Sequence, residues 1–352
     1  MRDSFCDRLG IEFPVVQAPM AGVQDATLAA AVSNAGGLGS LPAAMLDPTT
    51  LKAELTRLAS ATSKPFNVNF FCHHTPAPDV ERHARWVRTL EHYFREFGIS
   101  PELIASGPAR RPFGREEAEV VAAVKPSVVS FHFGLPDDAL LADVRRTGAM
   151  IWSTATTVDE ALWLEARGVD AVIAQGLEAG GHRGQFLATG LEGQMSTLDL
   201  ISQIVRSVDV PVIAAGGIAT SDDVVEAVRR GAVAVQPGTA FLLSPESTTG
   251  PLHRRRLKDA RNRTTALTNV FTGRVARGLV TRLMRDLGGL TQLAPEFPIA
   301  ANALAPLRAA AERRGLDDFT PLWAGQNCSR CETLGAAEIT RAFGFATRSV
   351  PQ

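Results

Sequence analysis

A glycine-rich loop around one histidine is the segment of this sequence whose residue types best suit chemistry. It reads Gln175-Gly-Leu-Glu-Ala-Gly-Gly-His-Arg-Gly184 and contains four glycines. Glycines allow the backbone to fold tightly over a flat ligand, and an imidazole titrates near neutral pH and is a common general base. We therefore predict that His182 is catalytic; a solvated or structural histidine is the alternative.

Two later segments end in glycines of the kind that hold phosphate groups. They read Ala215-Gly-Gly217 and Gln236-Pro-Gly-Thr239, and each follows a short apolar run. Glycines let the backbone approach a phosphate closely, and a helix that follows offers free N–H groups. The alternative is that these are only glycines at the corners of the fold. We predict that the two segments bind the phosphate of a cofactor.

Small and amide residues elsewhere complete a site for a planar ring. The residues after Gln17 are small enough for a ring to lie against the backbone, and Asn69 can offer its amide to a ring atom. A ring-plus-phosphate ligand such as FMN fits this combination. The predicted cofactor site comprises Ala18, Met20, Ala21, Gly22, Asn69, Gln175, Gly180, Gly181, Gly216, Gly217, Gln236, Pro237, Gly238 and Thr239. His132 is a second inward candidate, either as a substrate contact or as a satisfied core histidine.

The elements that must position these residues follow an alternating pattern. Eight short apolar runs alternate with longer segments of helical period, as expected for parallel strands buried on both faces. The runs are 14–18, 37–41, 65–71, 128–134, 150–156, 171–175, 211–215 and 233–236. Eight such units predict a (β/α)8 TIM barrel of the α/β class, whose active site lies at the carboxyl ends of the strands. A doubly wound sheet is the rival, but it rarely uses eight units without a fingerprint loop after its first strand.

The spacing of the runs sets the domain boundaries. We predict a barrel over residues 1–244 with an insertion at about 72–127, where Glu81–Phe97 is helical. Residues 245–352 show helical period and polar turns without a clear strand. We predict that they form a mainly helical C-terminal extension, or small second domain, that packs near the barrel mouth.

Composition and charge exclude several classes of function. The chain has 352 residues with 36 Lys+Arg against 37 Asp+Glu, a formal net charge of −1. This balance argues against nucleic acid or an anionic membrane as partner, because both require a basic surface. Nowhere do about 18 consecutive apolar residues occur, as a membrane span would need. With no apolar leader and four scattered cysteines, we expect a cytoplasmic protein, either monomer or homodimer.

Two clusters contain cysteine or histidine, the residue types that bind zinc. Cys328-Ser-Arg-Cys331 has zinc-knuckle spacing, but a structural zinc needs four ligands and no second pair lies nearby. Cys72-His73-His74 follows a predicted strand, where solvent-facing histidines are the better interpretation. We predict no metal.

Several motifs together resemble the nitronate monooxygenase family, formerly called 2-nitropropane dioxygenases, and its first class in particular. They are Gln17–Gly22, Ser130–Pro136, Gln175–Gly184, Ala215–Gly217, Gln236–Thr239 and Trp323–Gln326. The resemblance implies an FMN-containing barrel that oxidises alkyl nitronates, of the propionate 3-nitronate type, with O2 to a carbonyl compound and nitrite. It implies that His182 deprotonates a neutral nitroalkane or hydrogen-bonds the nitronate, and that His132 and Gln326 contact substrate.

One departure from the family leaves the substrate open. Similar bacterial members carry tyrosines and a lysine at four-residue spacing in the C-terminal segment, where this chain reads Phe297-Pro-Ile-Ala-Ala-Asn-Ala-Leu-Ala305. An apolar nitronate or another substrate is therefore compatible with the site. The alternatives that share the flavin barrel are an NAD(P)H:quinone reductase and an enoyl-thioester (enoyl-ACP) reductase. A non-catalytic flavin-binding protein is the third alternative.

Overall fold

A curled parallel sheet forms the centre of the molecule. The computed structural model describes residues 2–104, 110–259 and 264–350, so residues 105–109 of the predicted insertion lie outside it. Within that part of the chain, seven strands pair in parallel in the order β1-β2-β3-β4-β5-β7-β8. Their bounds are β1 Gly39–Pro42, β2 Phe66–Phe71, β3 Val128–His132, β4 Met150–Ala155, β5 Ala171–Gln175, β7 Val212–Ala215 and β8 Ala234–Val235; β6 is Gly181–His182.

The first predicted strand, 14–18, closes the sheet into a barrel. Val15 bridges to Val235 of β8, and Val16 bridges to Leu38 beside β1, both in parallel. The bonds are Val16 N–H to Val235 O at 2.9 Å and Leu38 N–H to Val15 O at 2.8 Å. Pro14 has no N–H to give, which limits this segment to single bridges. The prediction of a TIM barrel is thus confirmed.

Helices surround the barrel as the alternating pattern predicts. Those on the wall are α2 Ala26–Asn34, α3 Pro48–Ala61, α6 Arg115–Val124, α7 Asp138–Arg146, α8 Val158–Glu165, α9 Thr197–Ser207 and α10 Ser221–Arg229. A further helix, α1 Arg2–Leu9, covers the amino ends of the strands. There the ring of Phe5 stacks on Trp152 with centroids 5.7 Å apart. The carboxyl ends are left for the functional site.

The predicted insertion and the C-terminal part build one second core together. The insertion supplies α4 Val80–Thr89 and α5 Glu91–Phe97, and the C-terminal part supplies α12 Arg282–Leu287 and α13 Ala300–Arg313. Trp86 and Tyr93 are fully buried in this core. The indole of Trp86 donates to Ala300 O at 3.1 Å, and the Tyr93 hydroxyl donates to Asp286 at 2.7 Å. Two segments that are distant in the sequence therefore fold as one unit.

The C-terminal part differs from expectation in two respects. It contains β9 Thr265–Thr268 and β10 Ala276–Leu279, which form an antiparallel sheet with β6 in the order β6-β10-β9; the expectation of no clear strand was wrong. Its last helix, α14 Ala336–Arg348, packs against α2 and α10. There Gly344 lies so close to Phe13 that a Cβ would fall 2.3 Å from the ring. This helix fills the eighth place on the barrel wall, not the mouth.

Residues 2–104, 110–259 and 264–350 contain neither a candidate membrane span nor a cluster of metal ligands. None of their helices is long and apolar enough to cross a membrane. No three His, Cys, Asp or Glu side chains among them are grouped as metal ligands would be.

Candidate active site

A cavity of about 360 Å³ opens at the carboxyl ends of the barrel strands. The predicted cofactor residues all line it, and so do His182 and His132. These residues come from segments up to about two hundred positions apart, and the barrel gathers them because parallel strands end at one face. The residue that does not line the cavity is Gln326.

His182 lies at one side of this cavity, largely buried, with 9% of its surface exposed. Its backbone pairs with Ala276 as part of β6, and its Nε2 lies 2.9 Å from the hydroxyl oxygen of Thr272. The rings of Phe297 and Trp323 pack 5.3 and 5.4 Å from the imidazole, centroid to centroid. The side chain is therefore held on a rigid strand and shielded by aromatic rings, as a catalytic group requires.

The surroundings of His182 favour its neutral form. Burial holds the pKa of the imidazole well below its usual value of 6.5, and the nearby cation of Arg110 lowers it further. His132 and Arg274 act in the same direction. Burial disfavours a charged imidazole, and like charges add to that effect. A neutral imidazole at physiological pH can accept a proton or a hydrogen bond.

Gln175 and His132 use their polar atoms to hold the backbone of His182. The Gln175 amide donates to His182 O at 3.0 Å and accepts from Gly184 N–H at 2.8 Å. The His132 Nε2 lies 3.2 Å from the same His182 carbonyl, and its Nδ1 lies 3.0 Å from the Thr154 hydroxyl. Burial also lowers the pKa of His132 to about 3. These contacts favour the satisfied core histidine, one of the two interpretations that the sequence left open; because His132 also lines the cavity, a substrate contact stays a prediction.

The first glycine segment has the geometry that a close ligand needs. Gly216 and Gly217 have φ values of +120° and +69°, a region that residues other than glycine rarely adopt. The two N–H groups just before α10, those of Ala219 and Thr220, are taken up by Asp223, both at 2.9 Å. The backbone of Gly216 and Gly217 is therefore the part of this segment that lines the cavity without a side chain in the way.

The second glycine segment, 236–239, also packs closely against its neighbours. A Cβ on Gly238 would lie 3.3 Å from the Cβ of Ala18, which places two predicted cofactor segments in contact. Next to it, the Oε1 atom of Gln236 is buried and has no hydrogen-bond partner within the described chain. A buried acceptor without a donor is costly, so the cavity suits a ligand that brings an N–H group to this point.

A late segment closes the cavity over these glycines. The Asn327 amide donates to Gly217 O at 2.6 Å, and Gly325 N–H donates to the Thr239 hydroxyl at 2.9 Å. Gln326 is exposed between them and donates its N–H to Glu178 O at 2.9 Å. Its side chain does not line the cavity, so the structure does not favour the predicted contact of Gln326 with substrate.

Three residues that sequence reasoning did not assign to the site lie in it. Thr272 contacts His182, Asn327 contacts Gly217, and Arg110 lines the cavity. Thr272 lies just before β10, which pairs with the strand of His182, and no local signal marked it. Asn327 follows the Trp323–Gln326 motif directly. Nothing in the pattern around Arg110 pointed to it.

The cavity carries positive charge without acidic counterparts. Arg110 and Arg308 line it, and no Asp or Glu of the described chain does. A cavity of one charge sign with apolar walls concentrates ligands of the opposite sign. The arrangement therefore suits anionic ligands.

Comparison with known proteins identifies similar chains of nearly the same length. A family model described as nitronate monooxygenase matches residues 2–340. A nitronate monooxygenase of Pseudomonas aeruginosa is 40% identical over 353 residues, covering 97% of this chain and 98% of the relative. The solved structure of a nitroalkane oxidase from Streptomyces ansochromogenes aligns with a TM-score of 0.87 at 36% identity, covering 98% of both chains. FabK from Thermotoga maritima aligns with a TM-score of 0.72 at 28% identity, covering 98% and 96%.

Proposed function

This chain belongs to the nitronate monooxygenase family, and from that premise we propose that it oxidises alkyl nitronates with bound FMN and O2, releasing a carbonyl compound and nitrite. One observation carries the proposal: a buried, neutral imidazole faces a positively charged cavity of cofactor size. A nitronate is an anion and a nitroalkane is a carbon acid. The site offers cations to the first and a proton acceptor to the second.

The residues present fit FMN. The backbone of Gly216, Gly217 and Gly238 would hold its phosphate, together with the Thr239 segment, and the unpartnered Oε1 of Gln236 would accept a hydrogen bond from a ring N–H. The small residues that follow Gln17 leave room for the flat ring. When bound, FMN supplies the electron-accepting chemistry and the reaction with O2. The protein supplies position and charge.

His182 has the role of base or hydrogen-bond partner. With a neutral nitroalkane, a nitrogen of its imidazole takes the proton from the carbon that bears the nitro group. Thr272 holds the ring in place through Nε2, and Gln175 and His132 hold the backbone carbonyl. Phe297 and Trp323 keep water from the imidazole, which preserves the low pKa that burial causes.

Anaerobic reduction of the purified flavoprotein tests this function against its rivals. We expect an alkyl nitronate to reduce the flavin absorbance and NADH or NADPH to leave it unchanged. Rapid bleaching by NAD(P)H, without a response to nitronate, would assign the chain to the quinone or enoyl-thioester reductases. No response to any of them would favour the non-catalytic alternative.

The pH profile provides a second test of the role of His182. An unperturbed histidine base loses activity as the pH falls through its value of 6.5; because the pKa of His182 is lowered, the neutral form persists to lower pH. We therefore expect kcat/KM with a neutral nitroalkane, measured from about pH 5 to 8, to show no decline centred near 6.5. A half-loss of activity at that pH would show that a histidine with an ordinary pKa is the base.

A further inference from the structure

Arg110 is a largely buried cation, and no Asp or Glu of the described residues forms an ion pair with it. Its Nε and Nη1 atoms are buried and have no hydrogen-bond partner within the described chain. The remaining Nη2 lies 3.9 Å from the sulfur of Met45, a weak acceptor. Arg308, the other arginine that lines the cavity, differs in that its Nε is 2.7 Å from Glu312. Arg110 therefore lacks the counter-ion that Arg308 has.

A buried guanidinium without a counter-ion would be stabilised by an anion from outside the chain. Burial lowers the pKa of Arg110 to about 10, so the group stays charged at neutral pH. A buried charge without a partner is unfavourable, and removing it from water is compensated only by a well-placed opposite charge. The planar fork of arginine matches a carboxylate with two parallel hydrogen bonds.

The position of Arg110 relative to His182 fits the far end of a short substrate. The ring centroid of Phe297 lies 5.5 Å from Cζ of Arg110 and 5.3 Å from the centroid of the His182 ring, so the cation and the base both contact one phenyl ring. Arg110 also lowers the pKa of His182, which agrees with their being neighbours. Both line the same cavity, so a short ligand whose reacting carbon meets His182 can place its other end at Arg110.

We propose that Arg110 determines substrate charge specificity in this chain by binding a second anionic group, such as a carboxylate, on the nitronate. This inference rests on the proposed function. In this proposal Arg110, which lies in the loop before α6, recognises the anionic group of the substrate. The segment 297–305 of this chain offers no hydroxyl or ammonium group for that purpose. The cofactor phosphate is not the anion expected here, because the glycine segments follow β7 and β8, whereas Arg110 contacts Met45 and Phe297.

Two nitronates of about the same length and different charge provide the test. The probes are the nitronates of 3-nitropropanoate, which carries a carboxylate, and of 1-nitrobutane, which is neutral beyond the nitronate. We expect wild-type protein to prefer the charged probe in kcat/KM, and Arg110→Gln to lower kcat/KM for that probe by about 10- to 100-fold while changing the neutral probe little. Arg110→Lys keeps the charge without the fork and should retain part of the preference.

Arg111→Gln is the matched control. It removes the same side-chain type from the same loop, but Arg111 is exposed and paired with Glu116 at 3.0 Å and Glu117 at 3.3 Å. Its ratio of charged to neutral probe should equal that of the wild type. Flavin content is measured in every variant.

The possible outcomes separate the inference about Arg110 from the proposed function. Equal kcat/KM for the two probes in the wild type, or an unchanged ratio in Arg110→Gln, overturns the inference and leaves the proposed function standing. Loss of flavin from Arg110→Gln would also overturn it, by making Arg110 a cofactor ligand. Turnover of neither nitronate by flavin-loaded wild-type protein would instead be a failure of the proposed function itself. If Arg110→Gln does not fold, the ratio of kcat/KM for the charged and the neutral probe, compared between the wild type and Arg110→Lys, still tests the inference.

Discussion

The His182→Ala variant is expected to lose about 10²- to 10⁴-fold in kcat/KM with a neutral nitroalkane, which is the usual contribution of a positioned general base. FMN should be retained, because the imidazole of His182 supports none of the glycine segments; its own polar contact is to Thr272 at 2.9 Å. With a preformed nitronate the loss should be smaller, since no proton has to leave carbon. Steady-state kinetics with both substrates and an absorption spectrum measure this.

His74→Ala is the control for this prediction. His74 is exposed after β2 and does not line the cavity, so its removal should leave both rates unchanged. Unchanged turnover of the nitroalkane in His182→Ala would remove this residue from the mechanism. Equal losses with nitroalkane and nitronate would show that His182 binds the anion and does not act as a base.

Glu160→Ala is expected to lower the free energy of unfolding by about 3–5 kcal/mol, because several donors lose their acceptor at once and each buried one costs about 1–3 kcal/mol. Glu160 is 1% exposed. One carboxylate oxygen accepts from the N–H and hydroxyl of Thr156 at 2.7 and 2.8 Å, and the other accepts from the N–H groups of Phe186 at 2.6 Å and Leu187 at 3.2 Å. Alanine leaves these donors without an acceptor.

Glu165→Ala is the matched control. This carboxylate also accepts from two backbone N–H groups, those of Asp209 at 2.6 Å and Val210 at 3.2 Å, but it is only half-buried. Water can replace the Glu165 carboxylate there, so we expect Glu165→Ala to lower the free energy of unfolding by about 0.5–1.5 kcal/mol. Denaturant unfolding monitored by tryptophan fluorescence compares the two. A loss for Glu160→Ala no larger than that for Glu165→Ala would contradict the prediction.

Glu160 also helps to hold the loop that carries His182 in place. Phe186 and Leu187 follow the histidine loop within five residues, and Arg274 reinforces that loop by donating to Gln185 O while lying 3.8 Å over the ring of Phe133. The loop around His182 is thus held by groups from α8 and from the turn before β10.

The amino-acid pattern was sufficient for the barrel and for the glycine segments and histidine that line the cavity. Apolar runs of strand length recur with helical segments between them, and parallel strands have to be buried on both faces, so local periodicity carries the information. The glycine segments were also recognisable, because a positive φ at Gly217 or a close approach at Gly238 restricts the residue type at that position. Closure of the barrel then brings Ala18, Asn69 and Gln236 to one face.

Contacts between distant segments were decided only by the tertiary structure. The strands β9 and β10 exist because β10 pairs with Gly181 and His182, almost a hundred residues earlier, and a short strand has little local signal without its partner. The outward position of Gln326 and the engagement of His132 by Thr154 and His182 depend on how the chain is packed. The sequence did not indicate a functional role for Arg110, because an arginine on a loop is normally solvated. Its burial beside Phe297, away from any carboxylate, is a property of the folded chain alone.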